Sequence, residues 1–345
     1  MKKTAKASNP SSGRAKGGLS PAKKILCPVC GGNTTDFKYT IVRHGFDVWL
    51  CAGCKSEFRH PLPRKADAYY DEGYYTGTAA FNYQDERKQE YYHNFVHRAR
   101  LNNIRRFLST RNSMASGNTV AGITSASPRP KFLDVGCAFG AFVRAAAHDF
   151  DAAGLDVSDF AVREGNKICA TTGSSAKLYQ GDLTHLPKER TARDFFAPGT
   201  ISAITLIEVA EHLQAPRPAL TQAYRLLRPG GVLVIQTANF EGLQAVQGGS
   251  AYHYYLPGHL VYYTATGLRQ MLAEIGVTEF REFCPVDFSL WAKWRKAWGD
   301  VRKFSDLKRF WNMSIYHLKS KLRRGGRPLT SSYALYARKS SLPRI

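Results

Sequence analysis

Short apolar runs alternate with amphipathic segments over the C-terminal two thirds of the chain. Six of these runs have the length of a β-strand: KFLDV, AAGLDV, AKLYQ, ISAITLI, GVLVIQT and EFREFC. The segments between them place apolar residues at helical spacing, most clearly at 216–228. Strands and helices that alternate in this way build a parallel sheet with helices on both faces. With a final run, SYALYAR, the pattern predicts an α/β fold with a doubly wound, mostly parallel, Rossmann-like sheet of seven strands.

The pattern before this alternation is different and predicts smaller units. Residues 1–24 are mostly Lys, Ser, Gly, Ala and Pro, a composition that predicts a disordered basic tail. Residues 25–62 hold two cysteine pairs between short strand-like runs. Residues 63–130 combine an aromatic-rich lid, a helix at 84–108 and a linker rich in Ser, Thr, Asn and Gly. The remainder, 131–345, is predicted to be the main domain.

One segment of the main domain, residues 288–328, breaks the alternation. Four of the five tryptophans lie in it, and they recur with Leu and Ile at spacings of three and four. This periodicity predicts one amphipathic helix, or two broken near Gly299, inserted before the last strand. The basic residues opposite the apolar stripe favour docking on an anionic membrane surface. The alternatives are an ordinary helical insertion packed on the sheet and a contact with RNA.

Charge and cysteine usage indicate the cellular compartment in which the protein acts. Of the net charge of +22, residues 1–24 supply seven and residues 288–328 supply ten, which leaves +5 for the rest. No apolar run approaches the roughly 20 residues that a membrane span needs. The N-terminus lacks the apolar core of a secretory signal, and the cysteines do not form a disulfide pattern. We therefore expect a cytoplasmic protein, peripheral at the inner face of the membrane if the basic segment docks there.

The cysteine pairs predict a metal site. The spacing is Cys27-x2-Cys30-x20-Cys51-x2-Cys54, within the pattern of a four-cysteine zinc ribbon. Four thiolates complete the tetrahedral shell of Zn²⁺ and leave no open position, so the site should be structural. A redox pair or unliganded thiols are the alternatives.

The turn after the first strand of the main domain predicts a cofactor site. Gly136, Ala138 and Gly140 form a G-x-A-x-G turn that lacks the third glycine of a dinucleotide site. Asp134 enters this turn, where its carboxylate would repel a phosphate group and attract a cationic amino group.

Two further acids complete the predicted cofactor. Asp156 lies 20 residues beyond Gly136, the spacing at which a carboxylate binds ribose hydroxyls. Asp182 follows another strand-like run, where an acid and a backbone amide can bind the edge of adenine. Contacts for an amino acid, a ribose and an adenine, with none for phosphate, describe S-adenosylmethionine.

These residues bring the chain close to a known family. Residues 131–285 resemble class I S-adenosylmethionine-dependent methyltransferases through LDVGCAFG, GLDVS, GDL, LIEVAEHL and RLLRPGGVLVIQTAN. The resemblance implies that Asp156 binds the ribose and that Asp182 with Leu183 binds the adenine. It also implies a cofactor loop formed by Asp134, Gly136, Ala138 and Gly140.

The N-terminal part extends this resemblance. A four-cysteine ribbon followed by HPLP and paired tyrosines, as at Tyr69, Tyr70, Tyr74 and Tyr75, is similar to bacterial enzymes that act on sugars or cell-surface glycan precursors. The resemblance implies a saccharide or small-molecule acceptor, with the ribbon and the tyrosines covering its side of the pocket.

Two stretches supply candidates for the chemistry. His259 in YHYYLPGHLVYY suits general-base work, because histidine titrates near neutral pH, and it resembles the histidine of the sugar-modifying relatives. The stretch IEVAEHL supplies Glu208, Glu211 and His212. It resembles ubiquinone-pathway O-methyltransferases, which implies a divalent ion such as Mg²⁺ on these three residues. Otherwise Glu208 lines the cofactor pocket, and the histidines have only structural roles.

The sequence therefore predicts in-line methyl transfer to the oxygen of a sugar, a glycan precursor or another small hydroxylated acceptor. The alternative is an RNA-modifying methyltransferase that uses its basic segments to hold the nucleic acid, although no RNA-reading module is recognisable. A third possibility is a non-catalytic binding protein that retains the fold.

Overall fold

The computed structural model covers the ribbon, the main domain and much of the region between them. The residues described are 25–63, 70, 72–76, 85–109, 128–299, 301, 303 and 306–341. The predicted tail at 1–24, most of the predicted linker, and Tyr69 lie outside these residues.

The strands of the described residues follow the predicted runs closely. They are Thr35–Ile41 (β1), Phe46–Cys51 (β2), Glu57–His60 (β3), Lys131–Val135 (β4), Asp151–Asp156 (β5), Lys177–Gln180 (β6), Ile201–Ile207 (β7), Leu227–Ala238 (β8), Val261–Tyr262 (β9), Val277–Phe283 (β10), Arg323–Arg324 (β11), Arg327–Pro328 (β12) and Ser332–Lys339 (β13).

The helices lie between these strands. They are Glu72–Thr76 (α1), Glu90–Ser109 (α2), Ala141–Ala146 (α3), Asp159–Thr171 (α4), Arg190–Phe195 (α5), Pro216–Leu226 (α6), Leu243–Gly248 (α7), Ala265–Ile275 (α8), Leu290–Trp298 (α9) and Leu307–Lys319 (α10). Short 3₁₀ turns occupy Glu86–Gln89, Ala210–His212 and Gly249–Ala251. The predicted helix at 216–228 ends at Leu226, because Leu227 already begins β8. None of the helices in the described part of the chain is long and apolar enough to cross a bilayer.

The main sheet has seven strands in the order β10-β13-β8-β7-β4-β5-β6. The pairs among β4 to β8 are parallel, whereas β13 runs antiparallel to β8 and β10. The doubly wound, mostly parallel sheet predicted from the sequence is confirmed. The chain moves outward from β4 through β5 to β6 and then returns to build β7 and β8 on the other side. The carboxyl end of β4 is therefore the switch point of the topology, where open α/β sheets bind ligands.

Both faces of this sheet are covered. Alternate residues of β7 point to opposite sides, so Ile204 and Leu206 join one core while Ala203 joins the other. Leu220 of α6 and Leu272 of α8 pack in the first core. The second core contains the apolar faces of α2, α3 and α4: Leu101, Ile104, Phe107, Phe142, Val143 and Val162. This burial explains why the parallel strands are continuous apolar runs.

The ribbon is joined to the main domain by a shared sheet. β1, β2 and β3 form an antiparallel sheet whose fourth strand, β9, comes from the main domain. The carboxylate of buried Glu57 accepts hydrogen bonds from Tyr255 Oη and Lys38 Nζ, both at 2.5 Å. Tyr255 belongs to the loop between α7 and β9, so this contact fixes the ribbon against the segment that also carries His259.

The basic segment contains two helices, the second of the two predicted arrangements, with the break near Gly299, and the short strands β11 and β12 follow them. It connects β10 to β13, and α9 packs on α2. A Cβ added at Gly299 would lie 2.5 Å from the ring of Tyr92, so only glycine permits this close approach. Arg295 places its guanidinium 4.5 Å from the ring centroid of Phe95 on α2.

Candidate active site

The four predicted zinc ligands converge at one point. The sulfurs of Cys27 and Cys54 are 3.6 Å apart, and those of Cys30 and Cys51 are 3.5 Å apart. All four sulfurs lie within 4.8 Å of one another. These separations are much longer than a disulfide bond of about 2.05 Å, so the cysteines are free thiols.

The arrangement fits a zinc ion. Four sulfurs at about 2.3 Å from one zinc ion lie about 3.8 Å from each other, close to the observed distances. The amides of Val29 and Gly32 point at Cys27 Sγ and Cys30 Sγ, each at 3.4 Å, which stabilises thiolates. Three of the four cysteines are buried, so an ion held there would have no room for a substrate. The group can therefore hold a structural zinc ion, as the spacing predicts.

A cavity of about 790 Å³ opens at the carboxyl ends of the parallel strands. Its walls include the turn after β4, the ends of β5 and β7, and the loop between α7 and β9. Tyrosines of the region between ribbon and main domain complete it, namely Tyr70, Tyr74 and Tyr75. The cavity thus lies at the switch point that the topology marks as a ligand site.

The turn after β4 has the backbone geometry of a cofactor loop. Gly136, Ala138 and Gly140 all have positive φ, of 70°, 46° and 75°. A Cβ at Gly136 would lie 2.4 Å from Val209 Cγ2, so a side chain there would clash with Val209 on the cavity wall. Ala138 is the departure from the usual glycine, and its amide donates to Asp156 Oδ2 at 2.8 Å.

Asp156 is a buried acid of the cavity wall held by three donors. Besides the amide of Ala138, its carboxylate accepts hydrogen bonds from Ser158 N at 2.9 Å and Tyr75 Oη at 3.1 Å. Burial raises the pKa of the Asp156 carboxyl, while these donors oppose that rise. Ser158 also accepts a bond from Ala161 N and so begins α4, which fixes the end of β5. The predicted ribose ligand therefore lies on the cavity wall in a fixed orientation.

The other two predicted acids differ in position. Asp134 is buried at the end of β4, accepts a hydrogen bond from Thr205 Oγ1 at 2.5 Å, and lies beneath the cavity. Asp182 is half-buried on the wall beside buried Leu183. One oxygen of Asp182 caps its own turn by accepting bonds from the amides of Thr184 and His185 at 2.6 and 2.9 Å. Partial burial would raise the pKa of Asp182, but hydrogen bonds from the Thr184 hydroxyl, the His185 ring and these two amides outweigh it and lower that pKa.

A tyrosine joins the two predicted carboxylates of the IEVAEHL stretch. Tyr254 Oη lies 2.7 Å from Glu208 Oε2 and 2.6 Å from Glu211 Oε1. Gln236 Nε2 donates to the other oxygen of Glu208 at 2.8 Å. Glu208 has a left-handed backbone, with φ of 56°, which turns its side chain into the cavity. Glu208 is open to the cavity, but the surrounding protein limits the solvation of its carboxylate, and this together with the charge of Glu211 raises the pKa of Glu208 to about 7.

The two predicted histidines meet beside this cluster. The rings of His212 and His259 are perpendicular, with centroids 4.7 Å apart. His259 Nδ1 lies 2.8 Å from the carbonyl oxygen of Tyr254, and His212 Nδ1 lies 2.9 Å from that of Gly258. A carbonyl only accepts, so each Nδ1 carries the proton and each Nε2 keeps its lone pair. Burial lowers both pKa values, that of His259 to about 3, so both rings are neutral.

The three residues that could hold a divalent ion in the structure differ from the three that the sequence predicts. Possible ligand atoms of Glu211, His212 and His259 all lie within 4.8 Å of one another. Glu208 is instead bound by Gln236 and Tyr254. His259 takes its place because the loop before β9 folds back over the 3₁₀ turn after β7, and Leu260 N donates to the carbonyl oxygen of Glu211 at 2.8 Å.

Comparison with known proteins decides the family. The family model of the methyltransferase domain matches residues 90–278, more than half of the chain. The chain belongs to this methyltransferase family. With its doubly wound sheet and glycine turn, it is a class I S-adenosylmethionine-dependent methyltransferase.

Curated relatives of this methyltransferase include ubiquinone biosynthesis O-methyltransferases. That of Psychrobacter arcticus is 32% identical over 111 residues, which are 32% of this chain and 41% of the relative. That of Methylococcus capsulatus is 28% identical over 110 residues, 32% of this chain and 44% of the relative. The chain thus spans less than half the length of these two relatives.

Solved structures of methyltransferases are also similar to this chain. A putative methyltransferase from Bacillus halodurans is 18% identical, with a TM-score of 0.40 over 63% of this chain and 96% of that one. Geranyl diphosphate C-methyltransferase from Streptomyces coelicolor is 14% identical, with a TM-score of 0.41 over 62% of this chain and 73% of that one.

Some site residues carried too weak a signal to be assigned a role from sequence. Tyr254 stands in the quoted YHYYLPGHLVYY stretch, but nothing there distinguishes it from its tyrosine neighbours. Gln236 ends an apolar run, and only its contact with Glu208 in the structure indicates a role in the site. Tyr70 Oη, 2.8 Å from His212 Nδ1, comes from a segment that the sequence assigned only to a lid.

The zinc assignment predicts the behaviour of one cysteine variant. Purified wild-type protein should contain about one zinc ion per chain by plasma mass spectrometry. Cys51→Ser should lose nearly all of it and unfold at a lower temperature, because the remaining three thiolates no longer close the shell. Cys284→Ser, outside the cluster, is the matched control and should keep its zinc. A zinc-free wild type, or full zinc content in Cys51→Ser, contradicts the assignment.

The position of Asp156 predicts a loss of cofactor affinity. Asp156→Ala should weaken binding of S-adenosylmethionine by about 30- to 100-fold, the loss of one or two hydrogen bonds to a charged acceptor. Calorimetry measures the dissociation constant, and circular dichroism checks the fold. Asp159→Asn, an exposed acid three residues on, should bind as wild type does. Equal affinity of Asp156→Ala and wild type would show that this acid does not hold the cofactor.

Proposed function

We propose that this methyltransferase transfers a methyl group to an oxygen atom of a sugar, a glycan precursor or another small hydroxylated acceptor. The observation that carries the proposal is the Tyr254 hydroxyl, within hydrogen-bond distance of both Glu208 and Glu211. An alcohol loses its proton as it accepts a methyl group, so its enzyme benefits from a nearby base.

The cluster is suited to take that proton. Tyr254 has one hydroxyl proton, which it can donate to only one carboxylate at a time. Both short contacts are hydrogen bonds only when the other carboxyl is protonated and donates to Tyr254 Oη. The pair therefore holds one proton, consistent with the raised pKa of Glu211 and with that of Glu208, which is about 7. A base serves best when its pKa lies near the working pH, and this favours Glu208 over His259 as the proton acceptor.

The remaining residues bind and orient. S-adenosylmethionine, when bound, supplies the electrophilic methyl group. Asp156, with Gly136 and Ala138, would hold its ribose and amino-acid parts, and Asp182 with Leu183 would hold the adenine. Asp134, beneath the turn, would act through the backbone of that turn, and Gly140 through its left-handed conformation at the start of α3.

The neutral histidines belong to the acceptor side of the cavity. In this proposal His212 and His259 accept hydrogen bonds at Nε2 from acceptor hydroxyls. With Glu211 they could also hold a divalent ion, which would polarise an acceptor oxygen when bound. Two imidazoles and one carboxylate suit Zn²⁺, Mn²⁺ or Fe²⁺ better than the Mg²⁺ expected from the sequence, because Mg²⁺ prefers oxygen ligands.

The acceptor class rests on the wall chemistry. Carboxylates, imidazoles and tyrosine hydroxyls at one end of the cavity match the several hydroxyls of a saccharide. The names of the curated relatives support oxygen as the methylated atom. The four thiols of the ribbon favour a reducing, cytoplasmic compartment. RNA modification is the alternative, and the assay below includes it as an arm.

The proposal predicts that Glu208 and Tyr254 act in turnover and not in cofactor binding. The acceptor source is a metabolite extract of a strain that lacks this gene, and the readout is formation of S-adenosylhomocysteine. Glu208→Gln should lower the rate by about 100-fold or more, and Tyr254→Phe by about 10-fold or more, while calorimetric affinity for S-adenosylmethionine stays unchanged. Glu189→Gln, an exposed glutamate, is the matched control and should retain the wild-type rate.

The methylated product identifies the atom. Mass spectrometry of the product should place the new methyl group on oxygen. A methyl group on nitrogen or carbon, a wild-type rate for Glu208→Gln, or transfer to added tRNA in place of the metabolites would contradict the proposal. Addition of EDTA, followed by restoration with Mn²⁺ or Mg²⁺, tests the divalent ion separately.

A further inference from the structure

The helical hairpin formed by α9 and α10 exposes large apolar side chains. Trp291, Trp298 and Trp311 are 64%, 58% and 69% exposed, and Leu318 and Leu322 are 59% and 57% exposed. Single exposed apolar residues are common, but a group of tryptophans and leucines on one small element marks an interaction site.

Spacing aligns these side chains within each helix, and packing joins the two helices. Trp291 and Trp298 are seven residues apart on α9, as Trp311 and Leu318 are on α10, so each pair lies on one face of its helix. The ring of Trp298 lies 5.8 Å from that of Phe310 on α10, and this contact holds the two helices side by side. We call Trp291, Trp298, Trp311 and Leu318, with Leu322 just beyond α10, the apolar group.

Positive charge is concentrated in the same segment as the apolar group. Between residues 290 and 328, Asp306 is the single acid among the residues that the structure describes. The same stretch carries nine exposed basic residues, which are Arg295, Lys296, Lys303, Lys308, Lys319, Lys321, Arg323, Arg324 and Arg327. The surface is therefore both apolar and strongly basic.

The hairpin lies at the edge of the sheet where the cavity opens. The chain leaves β10 at Phe283 and returns at Ser332, the first residue of β13. Ser332 pairs with Ala238, the last residue of β8, and Phe283 pairs with Ala334 nearby. The carboxyl end of β8 belongs to the same edge as the ends of β4 and β7, which border the cavity.

We propose that this hairpin docks the enzyme on the surface of an anionic lipid bilayer. Tryptophan is favoured at the membrane interface, leucine gains from entering the acyl region, and each lysine or arginine near the surface adds attraction to anionic headgroups. The bound enzyme would then hold the cavity edge of its sheet close to the bilayer, whichever acceptor it methylates.

Other occupants fit the surface less well. A nucleic acid would use the charges and could stack on the tryptophans, but it would leave Leu318 and Leu322 in water. A second copy of this chain would place like charges together across the interface. The combination of aliphatic, indole and basic groups favours lipid.

The test measures vesicle binding by the full-length, zinc-loaded protein. At low salt the protein should co-sediment with vesicles of phosphatidylcholine that contain one third phosphatidylglycerol. It should not co-sediment with vesicles of pure phosphatidylcholine. Four of the five tryptophans lie in this segment, so their fluorescence should shift to shorter wavelength on binding and be quenched by brominated lipid. Neither readout depends on methyl transfer, so the result stands apart from the proposed function.

Matched variants test whether vesicle binding depends on the hairpin itself or on positive charge anywhere on the protein. Trp311→Ala with Leu318→Ala, and separately Lys319→Glu with Lys321→Glu, should each weaken vesicle binding by at least about tenfold. Lys177→Glu with Arg225→Glu reverses two exposed charges at the opposite edge of the sheet and should leave binding unchanged. Because all six side chains are exposed, the variants should fold, and calorimetric binding of S-adenosylmethionine verifies that they do.

Several outcomes would overturn the proposal. These are no binding to anionic vesicles at low salt, equal binding to neutral vesicles, or equal loss in the opposite-edge variant. Tight binding to tRNA that vesicles do not displace would assign the surface to nucleic acid instead.

Discussion

A buried carboxylate is stable only where donors compensate for its lost solvation, and the site of this enzyme is arranged around one such group. Asp156 is bound by the amide of Ala138 in the glycine turn, the amide of Ser158 at the start of α4, and the hydroxyl of Tyr75 in α1. One side chain thus connects the cofactor loop, the second strand of the domain and the tyrosine-rich segment. These contacts set the cavity shape and place a negative charge where a ribose can use it.

A second set of contacts extends from the interior to the acceptor side. Asp287 is fully buried and pairs with Arg100 of α2 at 2.9 Å, and Arg100 also donates to the side-chain oxygen of Gln236. Gln236 then donates to Glu208, which meets Glu211 through Tyr254. Since removing one partner of a buried ion pair is costly, this network fixes the orientation of the Gln236 amide and thereby of Glu208. The helix before the glycine turn is thus tied to this cluster, and the family match begins at its first residue, Glu90.

The sequence was most informative where one local rule determines the structure. The strands of the main sheet were predicted to within a few residues, because the buried parallel strands are continuous apolar runs, and the convergence of the four cysteines could be predicted because their spacing is short and fixed. The spacing of Gly136 and Asp156 could likewise be recognised, because these residues lie at the ends of two consecutive strands, β4 and β5. The roles of Tyr254 and Gln236, and the meeting of His259 with Glu211, could not be predicted, because they depend on loops far apart in the chain. The sheet shared by the ribbon and the main domain could not be predicted either, because β9 has only two residues and lies far from β3 along the chain.

The central claim is that acidic side chains, and not amides gripping a diphosphate, define the cofactor of this cavity. Titration calorimetry of the wild-type protein with S-adenosylmethionine, S-adenosylhomocysteine and NAD tests it most directly. The account predicts saturable binding of the first two at micromolar concentrations and no heat from NAD. Binding of NAD, with no response to either adenosyl compound, would contradict it.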